Sequence, residues 1–304
     1  MMMLEPARFS GVRGELRRRE PLARHTSWRC GGAADAAFIP ADREDLAAFV
    51  RQIAATEPLT VIGLGSNLLV RDGGVRGTVI LMHAALNELG FDAERLRAEA
   101  GVASPKVSRY AALHGRGEAE FLSGVPGTVG GALAMNAGCY GGETWRHVAQ
   151  VEVLTRQGDF ERRSPEDYAI GYRSVVSRGG QRDVAFTAAW FAFPPGNGAN
   201  ARRRIKALLS RRIATQPLNL PNAGSVFRNP EGDHAARLIE NCGLKGYAIG
   251  GASVSKKHAN FIVNAEGRAS AADVEALIGH VRDVVLHRTG VDLEPEVRII
   301  GDAK

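Results

Sequence analysis

The sequence has few aromatic residues, few cysteines and no long apolar run. Only 6% of its 304 residues are aromatic, and no basic stripe alternates with aromatic side chains, which disfavours a nucleic-acid-binding surface. The three cysteines (Cys30, Cys139 and Cys242) form no CxxC pair, which excludes a disulfide framework and the usual zinc spacings. No run approaches the ~20 apolar residues of a membrane span, and the first residues do not look like a secretory signal. We therefore expect a cytoplasmic protein without a metal, a membrane partner or a nucleic-acid partner, and no stable protein partner is inferable.

Glycine and positive charge are what the sequence has in excess. It contains 36 glycines, far above the typical ~7% of residues, and they follow no period. Such an excess indicates positions that need positive φ angles or a close approach of the backbone to a ligand. The formal net charge is +6, mostly from arginine, which favours bidentate contact with phosphates and carboxylates. An anionic small substrate fits this charge, although a bias in genome composition would also produce it.

Local patterns predict helices mixed irregularly with strands. Asp42 is placed to cap a first helix, and Ser270, with Asp273 three residues later, to cap the longest one. Further helices are predicted at 105–113, 202–214 and 235–241, and strands at 59–62, 78–81, 151–154, 185–193 and 297–300. The turn-forming stretch 194–200 is the best interdomain boundary. Without regular βαβ alternation, the mixture predicts an α+β fold class.

A first glycine-rich loop follows the strand at 59–62 and contains Gly63, Gly65, Ser66, Asn67 and Leu68. A Rossmann fingerprint needs a third glycine where Leu68 stands, and a helix after it, whereas the residues LLV indicate a strand. The backbone amides could instead form an anion-binding nest, with hydrogen bonds added by Ser66 and Asn67. A plain hairpin turn is the alternative.

A second glycine-rich segment, at 121–142, is long and apolar, whereas turns between solvated strands are usually polar. It predicts a wall around an extended ligand, with helix-terminal amides facing a phosphate; tight packing of helix on strand is the alternative. Two such loops without a Rossmann signature indicate a non-Rossmann dinucleotide-binding domain. Cys139 is expected to be a small filler there, and the candidate cofactor-binding residues are Ser123, Gly124, Pro126, Gly127, Thr128, Gly130 and Gly131.

Five segments together resemble the UDP-N-acetylenolpyruvoylglucosamine reductase (UDP-N-acetylmuramate dehydrogenase) family: GLGSNLLV, SGVPGTVGGALAMNAGCYGGE, GYR, NAGSVFRNP and EVRIIG. The resemblance runs from about Thr26 to Gly301. It implies an FAD-binding region of the vanillyl-alcohol-oxidase (PCMH) type at 25–194, with subdomains at about 25–82 and 83–194. An N-terminal extension at 1–24 would precede this region, and a C-terminal α+β substrate-binding domain at 201–304 would follow it.

The resemblance also implies a reaction in peptidoglycan precursor synthesis. NADPH would give a hydride to FAD and leave, and UDP-N-acetylglucosamine enolpyruvate would then enter the same cleft. Hydride would pass to the terminal carbon of the enol ether and a proton to the neighbouring carbon, giving UDP-N-acetylmuramate. Such chemistry needs a flavin, an electrophile for the carboxylate and a proton donor.

Three residues match the catalytic positions of this family. Ser225 matches the proton donor, although a serine hydroxyl is a poor acid without activating neighbours. Arg173 matches the arginine that binds and polarises the substrate carboxylate, a task suited to its fork and permanent charge. Glu296 matches the catalytic glutamate, and only the motif distinguishes it from Glu294, which would share its face in a strand.

The resemblance gives further residues a binding role. Arg228 and Asn229 are expected near the substrate diphosphate, as are Lys257 and His258, with Lys256 beside them, unless these form a solvated basic turn. Thr26 and the glycines at 31–32 match a motif near the flavin. Residues 174–190 contain no tyrosine-bearing insertion, which indicates the shorter class of the family. Ser174 directly follows Arg173, one place earlier than the family pattern.

Two other functions are compatible with parts of the sequence. An FAD oxidoreductase of the same fold, of the sugar-lactone oxidase type, would share the glycine-rich loops. It would not explain GSVFRNP and EVRIIG in the last third of the chain. A nucleotide-sugar-binding protein without catalysis is the second alternative, and it would be colourless even with added FAD.

Overall fold

The computed structural model describes residues 9–83, 85–180 and 183–304. Residues 1–8 of the predicted N-terminal extension, and positions 84 and 181–182 of the predicted second subdomain, lie outside the described residues. The helices are α1 (Arg43–Gln52), α2 (Ser104–Leu113), α3 (Val129–Ala134), α4 (Gly198–Thr215), α5 (Ala235–Asn241) and α6 (Ala271–Thr289). Short 3-10 turns lie at Leu22–His25, Glu120–Gly124, Thr144–His147 and Pro165–Asp167.

The strands are more numerous and mostly short. In chain order they are β1 (Glu15–Pro21), β2 (Ala33–Ile39), β3 (Leu59–Ile62), β4 (Leu68–Val70), β5 (Val75–Leu81), β6 (Leu89–Asp92), β7 (Arg95–Glu99), β8 (Gly138–Cys139), β9 (Gly142–Glu143), β10 (Val148–Leu154), β11 (Phe160–Arg163), β12 (Tyr168–Gly171), β13 (Ser174–Ser177), β14 (Ala185–Phe191), β15 (Ala248–Ile249), β16 (Ala252–Val254), β17 (Ile262–Val263) and β18 (Arg298–Ile300).

The helix caps predicted from the sequence are confirmed. The Asp42 side chain accepts a hydrogen bond from the Asp45 amide at 2.9 Å, at the start of α1. Ser270 and Asp273 form a capping box at the start of α6, and Gly290 ends that helix in the left-handed conformation at φ +76°. These signals are local, because they satisfy amides and carbonyls that the helix itself leaves unpaired.

Helix α4 is longer than the sequence predicts. It begins at Gly198, inside the turn-forming stretch 194–200, and its amino end buries Ala201 and Ile205 against Ala112 of α2. Tertiary packing therefore extends the helix into residues whose local propensity favours a turn.

The described residues divide into two compact units, and one of them contains those within Met1–Arg18, Ala36–Leu64 and Gly77–Ser210. Most residues of the sheet β1-β2-β5-β3, in which β3 is parallel to β5, belong to this unit, and so does the sheet β11-β10-β14-β7-β6. Strands β12 and β13 form a separate hairpin. Besides the small cluster at α2 and α4, buried apolar side chains of this unit form one cluster around Phe38, Phe49 and Ile80 and another around Leu96, Val151 and Phe191.

The other unit contains Arg19–Asp35, Gly65–Arg76 and Arg211–Lys304, so the division falls inside α4. It contains the sheet β15-β16-β17 and the parallel pair β4–β18, with Leu68 opposite Arg298 and Val70 opposite Ile300. One apolar cluster fills this unit and includes Trp28, Phe227 and the inner face of α6. Among the described residues, no helix is long and apolar enough to span a membrane. The domain boundaries expected from the sequence stay a prediction.

Candidate active site

The first glycine-rich loop is the predicted turn between two strands, since β3 ends at Ile62 and β4 begins at Leu68. Gly65 is buried and takes φ +65°, and its Cβ position is occupied by the carbonyl oxygen of His25. Its own carbonyl accepts hydrogen bonds from the amide and hydroxyl of Ser27, at 3.2 and 3.3 Å. Only glycine combines this conformation with so close a backbone approach.

The N-terminal motif expected near the flavin packs on the same stretch of chain. The Thr26 hydroxyl donates to the Cys30 carbonyl at 3.1 Å. Side chains at positions 31 and 32 would run into the backbone of Val70 and Asp72, respectively. The glycines of this motif are therefore required for close packing within the second unit.

A buried hydroxyl lies where the second glycine-rich segment begins its helix. Thr128 is 4% exposed, and its Oγ1 has no hydrogen-bond partner among the described residues. A Cβ at Gly63 would lie 2.5 Å from this oxygen, and a Cβ at Gly131 would lie 3.8 Å from it. Backbone without side chains around an unpaired donor fits the diphosphate of FAD, which needs close approach and hydrogen bonds.

The helix-terminal amides predicted to face a phosphate are used differently. The Val129 N–H donates to the Val102 carbonyl at 2.8 Å, and the Gly130 N–H donates to the Ala100 carbonyl at 2.9 Å. These bonds attach the start of α3 to the loop that precedes α2. The prediction is therefore wrong for these two amides, because the fold itself satisfies them.

Two glycines of this segment have a packing reason. A Cβ at Gly124 would lie 2.7 Å from Cys139 Sγ, and a Cβ at Gly130 would lie 3.0 Å from that of Ala100. Cys139 therefore fills space beside Gly124, as a small filler would. The Ser123 hydroxyl donates to the Glu120 carbonyl at 2.7 Å, while Pro126 is exposed and Gly127 takes φ +116°.

Arg173 lies in the two-residue turn of the β12–β13 hairpin, next to the pair formed by Gly171 and Ser174. Its φ of +54° is left-handed, a conformation that costs a non-glycine residue roughly 1–3 kcal/mol. The guanidinium donates from Nη2 to the Gly138 carbonyl at 3.0 Å and from Nη1 to the Asn136 carbonyl at 3.4 Å. The turn and two carbonyls thus orient the fork of Arg173.

Asn136 supports the turn that contains Arg173, and the sequence motifs did not predict this role. It is 1% exposed, and its Nδ2 donates to the Gly171 carbonyl at 3.0 Å and to Glu143 Oε2 at 3.2 Å. Its Oδ1 accepts from the Trp145 amide at 3.2 Å. The sequence indicates this residue only as the single polar side chain in the otherwise apolar stretch ALAMNAG.

Ser225 and Glu296 lie on neighbouring stretches of backbone in the second unit. The Glu296 amide donates to the carbonyl of Val226, the residue after Ser225, at 2.7 Å. On the other side, Asn67 Nδ2 donates to the Glu296 carbonyl at 3.1 Å. The structure therefore brings two predicted catalytic residues together with one residue of the first glycine-rich loop. Arg173 belongs to the other unit.

The two glutamates before β18 differ in their surroundings. Glu294 pairs with Arg228 at 3.0 Å, and its carbonyl accepts the Arg228 amide at 2.9 Å. Both glutamates precede the strand, which begins at Arg298, so they do not share a strand face as considered from the sequence. The Glu294 carboxylate is thus engaged in an ion pair with a residue that is itself predicted to bind substrate.

The remaining predicted substrate-binding residues occupy loops of the second unit. Asn229 Oδ1 accepts from the Ala235 amide at 3.1 Å, at the start of α5. Lys257 Nζ donates to the Ile213 carbonyl at 2.6 Å. Burial lowers the pKa of His258, so its imidazole is neutral near pH 7 and would contact a phosphate as a hydrogen-bond donor, without positive charge.

These features define a class of protein. A buried hydroxyl among glycines suits a nucleotide cofactor, and the hydrogen-bonded backbone segments that carry Ser225 and Glu296 suit proton transfer. Among the described residues, no cluster of three or more His, Cys, Asp or Glu side chains could hold a metal ion. Taken with the resemblance of the five sequence segments, these features indicate an FAD-dependent oxidoreductase with an α+β fold.

Comparison with known proteins gives the family. A family model described as "UDP-N-acetylenolpyruvoylglucosamine reductase, C-terminal domain" matches residues 216–300, and an FAD binding domain model matches 34–164. The UDP-N-acetylenolpyruvoylglucosamine reductases of Nitrosospira multiformis and Thiobacillus denitrificans are 56% and 54% identical to this chain. Both alignments cover 96% of it, and 90% and 94% of the relatives. The crystal structure of the enzyme from Thermus caldophilus superposes with a TM-score of 0.79 at 34% identity, covering 95% of this chain and all of that one.

The chain belongs to the UDP-N-acetylenolpyruvoylglucosamine reductase family. The predicted α+β fold class with an FAD-binding region and a C-terminal domain is confirmed. Also confirmed are the predicted enzyme class, UDP-N-acetylmuramate dehydrogenase, and FAD with NADPH as hydride donor. The matches favour this enzyme over the two alternatives left open by the sequence, while the roles of individual residues stay predictions.

Proposed function

We propose that this chain reduces UDP-N-acetylglucosamine enolpyruvate to UDP-N-acetylmuramate, with Ser225, Glu296 and Arg173 acting on the reacting part of the substrate. The observation that carries the proposal is the hydrogen-bonded pairing of the Ser225 and Glu296 segments, which ends at Asn67 of the first glycine-rich loop. In the net reaction, NADPH and one proton are consumed, and NADP⁺ and the saturated lactyl ether are formed.

When bound, FAD takes up a hydride from NADPH and passes it to the terminal carbon of the enolpyruvyl group. The residues proposed to hold it are those of the two glycine-rich segments. Gly63, Gly131 and the Thr128 hydroxyl would hold its diphosphate, with Thr128 as the hydrogen-bond donor.

Ser225 supplies the proton that the neighbouring carbon requires. Its hydroxyl is a poor acid in water, so the site must stabilise the alkoxide that proton transfer leaves behind. Glu296, on the adjacent segment, orients the proton network or acts as an acid beside the enolate. Proton transfer by this pair depends on a fixed distance between two backbone segments.

Arg173 binds the substrate carboxylate, toward which negative charge develops as hydride arrives. Its positive charge is permanent, and carbonyl contacts at Asn136 and Gly138 direct its fork. A cation placed in advance stabilises developing charge without reorganisation during the reaction. The strained φ of Arg173 is consistent with this role, because such strain concentrates at functional sites.

The substrate diphosphate is assigned to basic and polar side chains of the second unit. Arg228, Asn229, Lys257 and His258 are the proposed contacts. Arg228 pairs with Glu294, whose side chain is 65% exposed. When an anionic substrate binds, Arg228 therefore exchanges the Glu294 carboxylate for a phosphate of the substrate. Arginine suits this exchange because its fork donates hydrogen bonds to two oxygens at once.

We also infer a division of the chain and a location. Residues 25–194 form the FAD-binding region and 201–304 the substrate-binding domain, preceded by the extension 1–24. The cytoplasm is the proposed location, because NADPH and UDP-sugars are charged metabolites found there. No nucleic acid, membrane or protein partner is part of the proposal.

NADPH oxidation by flavin-loaded protein tests the reaction, with and without UDP-N-acetylglucosamine enolpyruvate. We expect NADPH oxidation to depend on this substrate. An NADPH oxidation rate that is the same with and without it would refute the proposed function. The role of Ser225 is tested by Ser225→Ala in separate half-reactions. Flavin reduction by NADPH should be nearly intact and flavin reoxidation by substrate slow, whereas equal losses would remove Ser225 as proton donor.

A further inference from the structure

A buried asparagine outside the proposed catalytic set contacts the segment that follows Ser225. Asn260 lies between β16 and β17 and is 3% exposed. Its Oδ1 accepts from the Phe227 amide at 2.9 Å, and its Nδ2 donates to the Phe227 carbonyl at 2.8 Å. Its own carbonyl accepts the Val226 amide at 2.9 Å. One residue therefore satisfies three backbone polar groups of the two consecutive residues Val226 and Phe227.

The opposite edge of the same segment carries Glu296. The Val226 carbonyl accepts the Glu296 amide at 2.7 Å, and the Glu294 carbonyl accepts the Arg228 amide at 2.9 Å. Hydrogen bonds thus join Asn260 to the Ser225 segment, and the Ser225 segment to the Glu296 segment. A displacement of the Asn260 side chain would therefore shift the backbone that carries both proposed proton-transfer residues.

The asparagine amide replaces a neighbouring strand here. Residues 225–229 and 294–297 lie outside the strands, and an isolated antiparallel bridge between Phe227 and Pro295 links them. An amide side chain offers one acceptor and two donors in a plane, which matches the N–H and C=O of a single residue. A carboxylate of the same shape would accept from Phe227 N–H but face its carbonyl without a proton.

We propose that Asn260 is a positioning residue for proton transfer, acting through the backbone that joins Ser225 to Glu296. This inference rests on the proposed function, since it assumes the roles of those two residues. It predicts that loss of the amide slows the step that needs the proton and spares the step that does not.

The experiment compares Asn260→Asp with the parent enzyme, both loaded with FAD, in anaerobic rapid-mixing half-reactions. We expect flavin reoxidation by UDP-N-acetylglucosamine enolpyruvate to slow by roughly 10-fold to 100-fold, the loss typical of an ångström-scale misplacement. Reduction by NADPH should be unchanged, and the solvent deuterium isotope effect on reoxidation should rise. If Asn260→Asp does not fold, Asn260→Ser, which keeps one hydroxyl there, carries the same measurement.

Asn264 provides a matched control. It is fully buried in the same unit, and its side chain also makes two backbone hydrogen bonds, to the Trp28 carbonyl and from the Ala269 amide. Asn264→Asp should lower the melting temperature to a similar extent without separating the half-reactions. The positioning role is wrong if Asn264→Asp also slows flavin reoxidation while sparing flavin reduction. It is equally wrong if Asn260→Asp slows both half-reactions to the same extent, or slows neither.

Ser225→Ala distinguishes failure of this inference from failure of the proposed function. If Ser225→Ala separates the half-reactions and Asn260→Asp does not, only the inference fails. If Ser225→Ala does not separate them, the assignment of the proton donor fails first. In the double variant, the Asn260 effect on reoxidation should largely vanish, because it acts through Ser225; fully additive losses would contradict the inference.

Discussion

Thr128 allows a prediction in which protein stability and cofactor affinity move in opposite directions. Its hydroxyl is buried and has no partner among the described residues, and glycine backbone surrounds it. Thr128→Val keeps the shape and removes only the hydroxyl. In the flavin-free protein this change removes a buried polar atom that nothing satisfies. In the loaded protein it removes a hydrogen bond to FAD.

The magnitudes follow from ordinary hydrogen-bond energetics. An unsatisfied buried hydroxyl costs about 1–3 kcal/mol, so the flavin-free variant should be more stable by an amount in that range. A hydrogen bond to a charged phosphate contributes about 1.5–3 kcal/mol, so FAD affinity should fall roughly 10-fold to 150-fold.

The assay is urea unfolding of the flavin-free protein together with flavin fluorescence titration. Thr187→Val is the control, because Thr187 is 1% exposed and its hydroxyl donates to Glu152 Oε1 at 2.8 Å. That variant should lose stability and keep its FAD affinity. A role for the Thr128 hydroxyl in binding FAD is excluded if Thr128→Val destabilises the flavin-free protein as Thr187→Val does, or if it binds FAD as tightly as the parent.

Three further predictions concern other parts of the fold. Gly131→Ala adds a methyl group 3.8 Å from Thr128 Oγ1, an ordinary contact, so helix propensity should stabilise the flavin-free protein by up to ~1 kcal/mol. FAD affinity should nevertheless fall, and an unchanged dissociation constant would place Gly131 away from the cofactor. Arg173→Lys should lower turnover of the enolpyruvyl substrate roughly 10-fold to 150-fold, the loss of a charge-assisted hydrogen bond. It should leave NADPH-dependent flavin reduction intact, and a normal turnover rate would contradict its role. The pKa of Asp273 is lowered, above all by a hydrogen bond from the Ser270 backbone. The stability that Asp273 contributes is therefore present above its unfolded pKa of ~3.9, and it is lost as pH falls through the lower folded value. Asp273→Asn should therefore flatten the loss of stability below about pH 4 in acid unfolding, and an unchanged acid profile would show that the capping box is not its source.

The parts of the fold that local sequence predicts well are those whose causes lie within a few residues. The capping box at Ser270 and Asp273, the end of α6 at Gly290 and the cap at Asp42 all follow from short-range hydrogen bonding. The glycine-rich loops are also recognisable, because glycine at such density indicates positive φ angles or close backbone approach. Resemblance to the family supplied the candidate site residues.

What local sequence could not predict depends on residues far apart in the chain. Asn67 contacts Glu296 across 229 positions, and Asn260 contacts Phe227 across 33. Residues Arg19–Asp35 belong to the unit that contains residues 211–304. A buried asparagine cannot be told from an exposed one in the sequence, because its role depends on the backbone groups to which it is hydrogen-bonded in the fold.

The family, the cofactor class, the α+β class and the helix boundaries set by caps can be predicted from the sequence, because they follow from motif identity and local hydrogen bonding. Which glycines pack and which border the Thr128 hydroxyl depends on the fold, as does the use of the Val129 and Gly130 amides. The fold also pairs the backbone next to Ser225 with that of Glu296, and Asn260 hydrogen-bonds the same segment. Hydrogen-bond satisfaction in a buried site is a property of the folded neighbourhood, which no local pattern contains.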